Sequence, residues 1–200
     1  MPLRPSVLLL SALLGLSQCS VTDGPSPADT LPPATQTGAG TAGCIMDGQP
    51  WNAYVSVGFM YPIVLGVYAS RDASPGPGPH RLSLSFQKSV DDHTATNNDT
   101  LIAMELPDVA HPGLYVFDQN PTNLGFIGVI GTPAYVIFAD RHTLPKQVLY
   151  TGPTATGRLV VTRFDLTAHV VSGTFEFTAR NAQSGRTVLV TEGRFDCPLP

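Results

Sequence analysis

The segment RLSLSFQ, residues 81–87, puts Leu82, Leu84 and Phe86 on one side of an extended chain and Arg81, Ser83, Ser85 and Gln87 on the other. VVSGTFEFTAR, residues 170–180, repeats the pattern, with Val171, Gly173, Phe175, Phe177 and Ala179 opposite Ser172, Thr174, Glu176 and Thr178. Period two with one polar face is the mark of antiparallel strands that are wet on one side. Helical periodicity is hard to find anywhere. Further strands are predicted at 63–68, 101–106, 114–117, 126–130, 135–139, 147–150, 158–164 and 187–195, with Pro and Gly between them at turn spacing. The pair Asp47-Gly48 favours a tight hairpin, because both central residues of a type I′ turn need positive φ. Gly185 closes a slightly longer hairpin in NAQSG. About ten strands at this spacing define an all-β domain, an antiparallel β-sandwich or a closed β-barrel, and the pattern alone leaves both open. In the last strand Leu189, Phe195 and Cys197 share a parity that Val188 and Val190 do not. Either both faces are buried there or Glu192-Gly193 marks a bulge.

The start of the chain sets an address. Arg4 precedes an apolar run from Val7 to about Leu16, which has the organisation of a signal peptide over residues 1–18. A run of about ten residues is too short to cross a roughly 30 Å hydrocarbon core as a helix. No small-x-small cleavage site follows. Leu16-Ser17-Gln18-Cys19 instead resembles the lipobox of bacterial lipoproteins, in which the cysteine becomes the first mature residue and carries a diacylglycerol. Gln18 departs from that pattern, which prefers Gly, Ala or Ser before the cysteine. The competing reading is a plain secreted protein with a spare thiol. Two or three acyl chains anchor a protein stably with no help from its folded domain.

Residues 19–43 follow as a tether rich in Pro, Gly, Ser and Thr without an aromatic residue, too poor in apolar surface to offset chain entropy. Residues 44–200 make up one domain. With Cys19 as the anchor, Cys44 and Cys197 are an even pair in an oxidising compartment and read as a disulfide joining the first and last strands. Two buried free thiols packing as small hydrophobes are the alternative.

Chemistry is sparse. The chain has 11 Lys and Arg against 15 Asp and Glu, scattered rather than in blocks. That balance argues against nucleic acid as a partner and provides no polybasic patch for anionic lipid. Gly125, Gly128 and Gly131 lack the order and the following helix of a nucleotide loop, and read as thinning a strand for close packing. Asp91, Asp92 and His93 have no second cluster with metal-ligand spacing and read as a solvated loop. The five histidines, His80, His93, His111, His142 and His169, are dispersed. No nucleophile elbow, zinc-binding helix motif or phosphate loop occurs. No catalytic residue, metal or cofactor is therefore assigned. A hydrolase would need two carboxylates, or a histidine and a carboxylate, brought together in a cleft. The single tryptophan, Trp51, reads as a core anchor. Asp29-Thr30-Leu31 and Asp99-Thr100-Leu101 resemble a short O-glycosylation pattern of exported proteins. Irregular segments at 70–80, 88–99 and 111–125 are where a loop-borne function would lie.

LPPATQTG, then Gly43-Cys44 leading into DGQPW, and finally FDLTAHVVSGTFEFTARNAQSGRTVLVTEGRFD together resemble an uncharacterised family of small lipoproteins from a Gram-negative lineage. The likeness covers the lipoprotein signal, the first hairpin and the last three strands. It implies a cell-envelope lipoprotein with an all-β domain, at the outer membrane or cell surface, and carries over no catalytic residue. The expected function is non-catalytic: the domain binds or scaffolds another envelope component, a protein or a glycan, while Cys19 holds it to the membrane. The alternative is a lipocalin-like carrier of a small molecule, with an internal cavity lined by Phe86, Met104 and Phe175.

Overall fold

The structure is a computed structural model that describes residues 30–55, 66–72, 80–89, 100–121, 134–140 and 147–200. The signal peptide, Cys19, the tether up to residue 29, Asp91-Asp92-His93, His142 and the expected strand at 126–130 with its glycines lie outside the described residues, as does the first half of the expected strand at 63–68.

A hairpin opens the sheet. Strands β1 (Thr41–Met46) and β2 (Gln49–Asn52) pair antiparallel across Asp47 and Gly48, whose φ angles of 48° and 80° are those a type I′ turn demands. Then come β3 (Tyr54–Val55), β4 (Val67–Arg71), β5 (His80–Ser89), β6 (Thr100–Val109), β7 (Gly113–Phe117), β8 (Tyr135–Asp140), β9 (Gln147–Tyr150), β10 (Gly157–Asp165), β11 (Val170–Arg180) and β12 (Thr187–Pro198). The described residues contain no α-helix.

The domain is all-β, as the alternation requires. Its form is a single strongly curled sheet, a half-barrel, with strand order β2-β1-β12-β11-β9-β8-β6-β5-β3. β10 and β7 branch from β11, and β4 shares the outer edge of β5 with β3. Every pairing is antiparallel except the short one between β3 and β5.

The curl brings together strands that are far apart in the sheet. Phe86 of β5 stacks on Phe175 of β11 with ring centroids 5.6 Å apart, and lies 5.7 Å from Phe195 of β12. Glycines make room for these rings. Gly193 pairs with Phe175, Gly173 with Phe195 and Gly157 with Phe177. A Cβ at Gly193 would lie 2.5 Å from the Phe175 ring, one at Gly173 would lie 2.9 Å from the Phe195 ring, and one at Gly157 would collide with Phe177. The Phe175 and Phe195 rings therefore lie over bare stretches of the neighbouring backbone, an arrangement that compensates strand glycines and lets the sheet bend tightly. Phe86, Met104 and Phe175, expected to line a carrier's cavity, are instead members of the packed core, where Phe86 and Phe175 meet ring to ring between the two limbs of the curled sheet, one containing β5 and β4 and the other β11 and β12.

Trp51 is a core anchor, buried with its Nε1 donating to Thr100 Oγ1 at 2.7 Å. The parity change in β12 is a bulge. Against β11 and against β1 alike the register slips around Glu192-Gly193, and Glu192 holds a φ of 52°. One extra residue reverses the alternation, so Val188 and Val190 before it and Phe195 and Cys197 after it all point inward, while Leu189 points out.

Two expectations are corrected. The tether does not run to residue 43: Leu31 is buried, residues 35–39 are bound to the sheet, and β1 begins at Thr41. The folded domain therefore begins by Thr30. The disulfide between Cys44 and Cys197 is absent, and both cysteines are free and buried. Register is the reason. Thr41 pairs with Asp196 and Gly43 with Arg194, so the residues run in opposite directions and leave Cys44 about four residues from Cys197, roughly 13 Å along the strands. A disulfide needs Cα atoms within about 7 Å. Burial pushes the Cys44 thiol up to about 12. Burial, followed by the negative charge of Asp196, raises Cys197 as well.

Candidate binding surface

The outer face of β7, β10, β11 and β12 carries three of the five large hydrophobic side chains that are exposed among the described residues. In β10, Leu159 and Val161 point into the core and Arg158 and Val160 point out. In β7, Phe117 is buried and Tyr115 packs against the core, which turns Leu114 and Val116 outward at 62% and 49% exposure. Leu189 of β12 is 52% exposed. Register aligns these side chains in rows: Val116, Arg158 and Glu176 across one line, and Leu114, Val160, Thr174 and Arg194 across the next. Arg158 Nε lies 2.8 Å from Glu176 Oε1 in an exposed ion pair, which adds little to stability and leaves a polar strip between apolar flanks.

Two adjoining grooves follow these rows. One, of about 640 Å³, is lined by Leu114, Val116 and Leu189 around Arg158, Glu176 and Thr178. The other, of about 460 Å³, shares Arg158 and Glu176 and ends at Ala34, Glu192 and Arg194.

Ala34 belongs to a strap that crosses the same face. Asn52 Nδ2 of β2 donates to the Thr30 carbonyl at 3.2 Å, and Pro32 packs on Gly43 of β1, where a Cβ would lie 2.7 Å from its ring. Arg163 of β10 donates to the Gln36 carbonyl. At the centre lies Asp196 of β12, only 1% exposed. Its carboxylate accepts from Thr35 Oγ1 at 2.7 Å, from the backbone N–H groups of Thr37, Gly38 and Ala39 at 2.9, 2.8 and 3.1 Å, and from Ser172 Oγ at 2.7 Å. Burial alone would push this carboxyl up. The hydrogen bonds from Thr35, Ser172, Thr37 and Ala39 outweigh it and hold the group well below the usual carboxylate range. Gly38 and Gly40, with φ of 76° and 69°, then turn the chain into β1.

The residues considered from sequence are not brought together. Cys44 and Cys197 lie in the core, away from the grooves. His111 is exposed and contacts the Pro112 carbonyl, and His169 contacts the Leu199 carbonyl. Thr100 is occupied by Trp51. One histidine–carboxylate pair does exist: His80 Nδ1 lies 3.1 Å from Asp72 Oδ1. His80 is buried beside Phe164, neither partner lines either of the two grooves, and Nε2 has no hydrogen-bond partner among the described residues. Among the described residues, therefore, no hydroxyl or thiol is hydrogen-bonded to Nε2 for the pair to activate. Among the described residues no three His, Cys, Asp or Glu side chains form a group able to hold a metal ion, and no helix is long and apolar enough to cross a membrane.

Sequence reasoning missed both the strap and the outer groove. A signal for the groove exists in GLYVF, residues 113–117, which is apolar on both strand faces although only one of them is covered.

These features define an all-β domain with a packed interior and its grooves on the outside. Residues 93–197 match the family described as Domain of unknown function (DUF6252), and the chain belongs to that family. The match takes in the strands that build the grooves, together with Ser172 and Asp196. No curated protein and no solved structure matches the chain.

Proposed function

We propose that this protein is a cell-envelope lipoprotein, held to a membrane through acylated Cys19, whose all-β domain is a non-catalytic binding module. One observation carries the binding role: three large apolar side chains, Leu114, Val116 and Leu189, line one groove on the outside of a sheet whose interior is already filled. A shared apolar patch with a polar centre is the chemistry of a contact surface. The lipobox-like Leu16-Ser17-Gln18-Cys19 supports the anchor, and membership of a family without an assigned activity is consistent with a role other than catalysis.

A photo-crosslinking residue placed at Val116 or Leu189 in the native host tests the surface, with Tyr68 as the comparison site. Tyr68 is 50% exposed on β4, where its neighbour Val67 points to the core, and so faces away from the groove. Adducts to an envelope protein, glycan or lipid at positions 116 and 189 but not at 68 are expected. Identical adducts at all three positions, or none, would overturn the binding role.

A further inference from the structure

We infer that the outer groove docks on the lipid bilayer that carries the anchor, with Leu114, Val116 and Leu189 entering the interface. This rests on the reading of Cys19 as acylated. The path of the chain is the first reason. The strap leaves the domain on the same outer face as the groove: Thr30 is fastened to Asn52, Ala34 forms the end of one groove, and Asp196 clamps residues 35–39. The point at which the chain leaves the domain is therefore on the outer face that carries the apolar patch, at its β2 edge.

Length is the second reason. With the domain beginning at Thr30 rather than after residue 43, the link from Cys19 reaches at most about 40 Å when fully extended. A flexible segment of that length would span about 20 Å on average. A domain on so short a link, tied at its outer face, meets the bilayer with that face. The link also holds the patch at a high effective concentration near the surface, of millimolar order for short flexible tethers, so a weak patch suffices.

Surface chemistry is the third. Three aliphatic side chains surround the Arg158–Glu176 pair, and Glu192 and Arg194 line the adjoining groove together. With Asp118 at the larger groove, Arg158 and Arg194 stand against three carboxylates, so the face has no excess of positive charge and suits a zwitterionic rather than an anionic interface.

The test uses the acylated full chain purified from host membranes and reconstituted in phosphatidylethanolamine vesicles with brominated acyl chains, which quench tryptophan on contact. Leu114→Trp places a probe in the groove, Tyr68→Trp places one on the opposite limb, and the unsubstituted protein gives the constant background of buried Trp51. Emission from Leu114→Trp should fall about twofold relative to unbrominated vesicles, as expected for a side chain at the headgroup–acyl boundary. Tyr68→Trp should be unaffected. Adding Val116→Asp to Leu114→Trp should abolish the quenching while the acyl mass remains. Absent quenching, or equal quenching at both sites, in protein whose acyl chains are confirmed by mass would overturn the docking and leave the anchor standing. Protein adducts in place of lipid adducts at position 116 would also overturn it. A Cys19 without acyl chains would remove the anchor and the docking together.

Discussion

Ser172 Oγ donates to Asp196 Oδ1 at 2.7 Å across the β11–β12 pair, and the same carboxylate collects the strap on its other side. A single buried charge thereby ties the start of the domain to its end. Its burial is tolerated because every direction of approach brings a donor.

Asp196→Asn removes the charge and turns an amide N–H₂ toward donors. It should destabilise the domain by about 2–4 kcal/mol, the range for breaking a buried, hydrogen-bonded charge. Ser172→Ala, which removes one donor of several, should lose about 1 kcal/mol. Urea denaturation of the three proteins checks the order, and equal midpoints for wild type and Asp196→Asn would refute the clamp.

Acid should act through the same group. The folded-state pKa of Asp196 is depressed, so between the folded and unfolded values the unfolded chain binds the extra proton, and stability rises with pH there. The contribution is fully present above the ordinary aspartate value of about 3.9 and is lost as pH falls toward the lower folded value. Denaturation midpoints measured from pH 6 down to pH 2 should fall steeply below pH 4 in the wild type, and less steeply in Asp196→Asn.

The rings over glycine make a geometric prediction. Gly157→Ala and Gly193→Ala put a methyl group into Phe177 and Phe175, and each should destabilise by about 1–3 kcal/mol, as overpacking does. At Gly113 the nearest atom to an added Cβ is 3.7 Å away, so Gly113→Ala should stay within about 0.5 kcal/mol of wild type. Thermal melts of the three variants separate the cases.

Cys44 and Cys197 should be silent toward alkylating reagents at pH 8 in the native domain, because burial keeps both thiols protonated. Under denaturing, non-reducing conditions both should be modified. Mass analysis that finds neither modified would show a disulfide and would demand a different β1–β12 register.

Cys19→Ser should abolish incorporation of labelled palmitate in the native host and release the protein from the membrane fraction. Retention of the variant in that fraction would refute acylation at Cys19 as the anchor.

Strand-forming residues and the Asp47-Gly48 hairpin were legible in the sequence because each is set by neighbours a few residues apart. Alternation shows which side chains share a face, but the parity break near Glu192-Gly193 left a bulge and two-sided burial open, and the register against β1 and β11 decided for the bulge. Which faces meet was decided by the tertiary structure alone. GLYVF is apolar on both sides, and only the pairing of β7 with β10 leaves Leu114 and Val116 outside. The separation of Cys44 from Cys197 follows from register, which the spacing of two cysteines does not contain. Residues 35–39 read as part of a tether because they offer little apolar surface, yet they are held by polar bonds to a carboxylate some 160 residues away, such as Thr35 to Asp196 at a separation of 161. Hydrophobic pattern reports burial driven by water. A polar segment fixed by one buried charge leaves no such pattern, and only the folded chain brings donor and acceptor together.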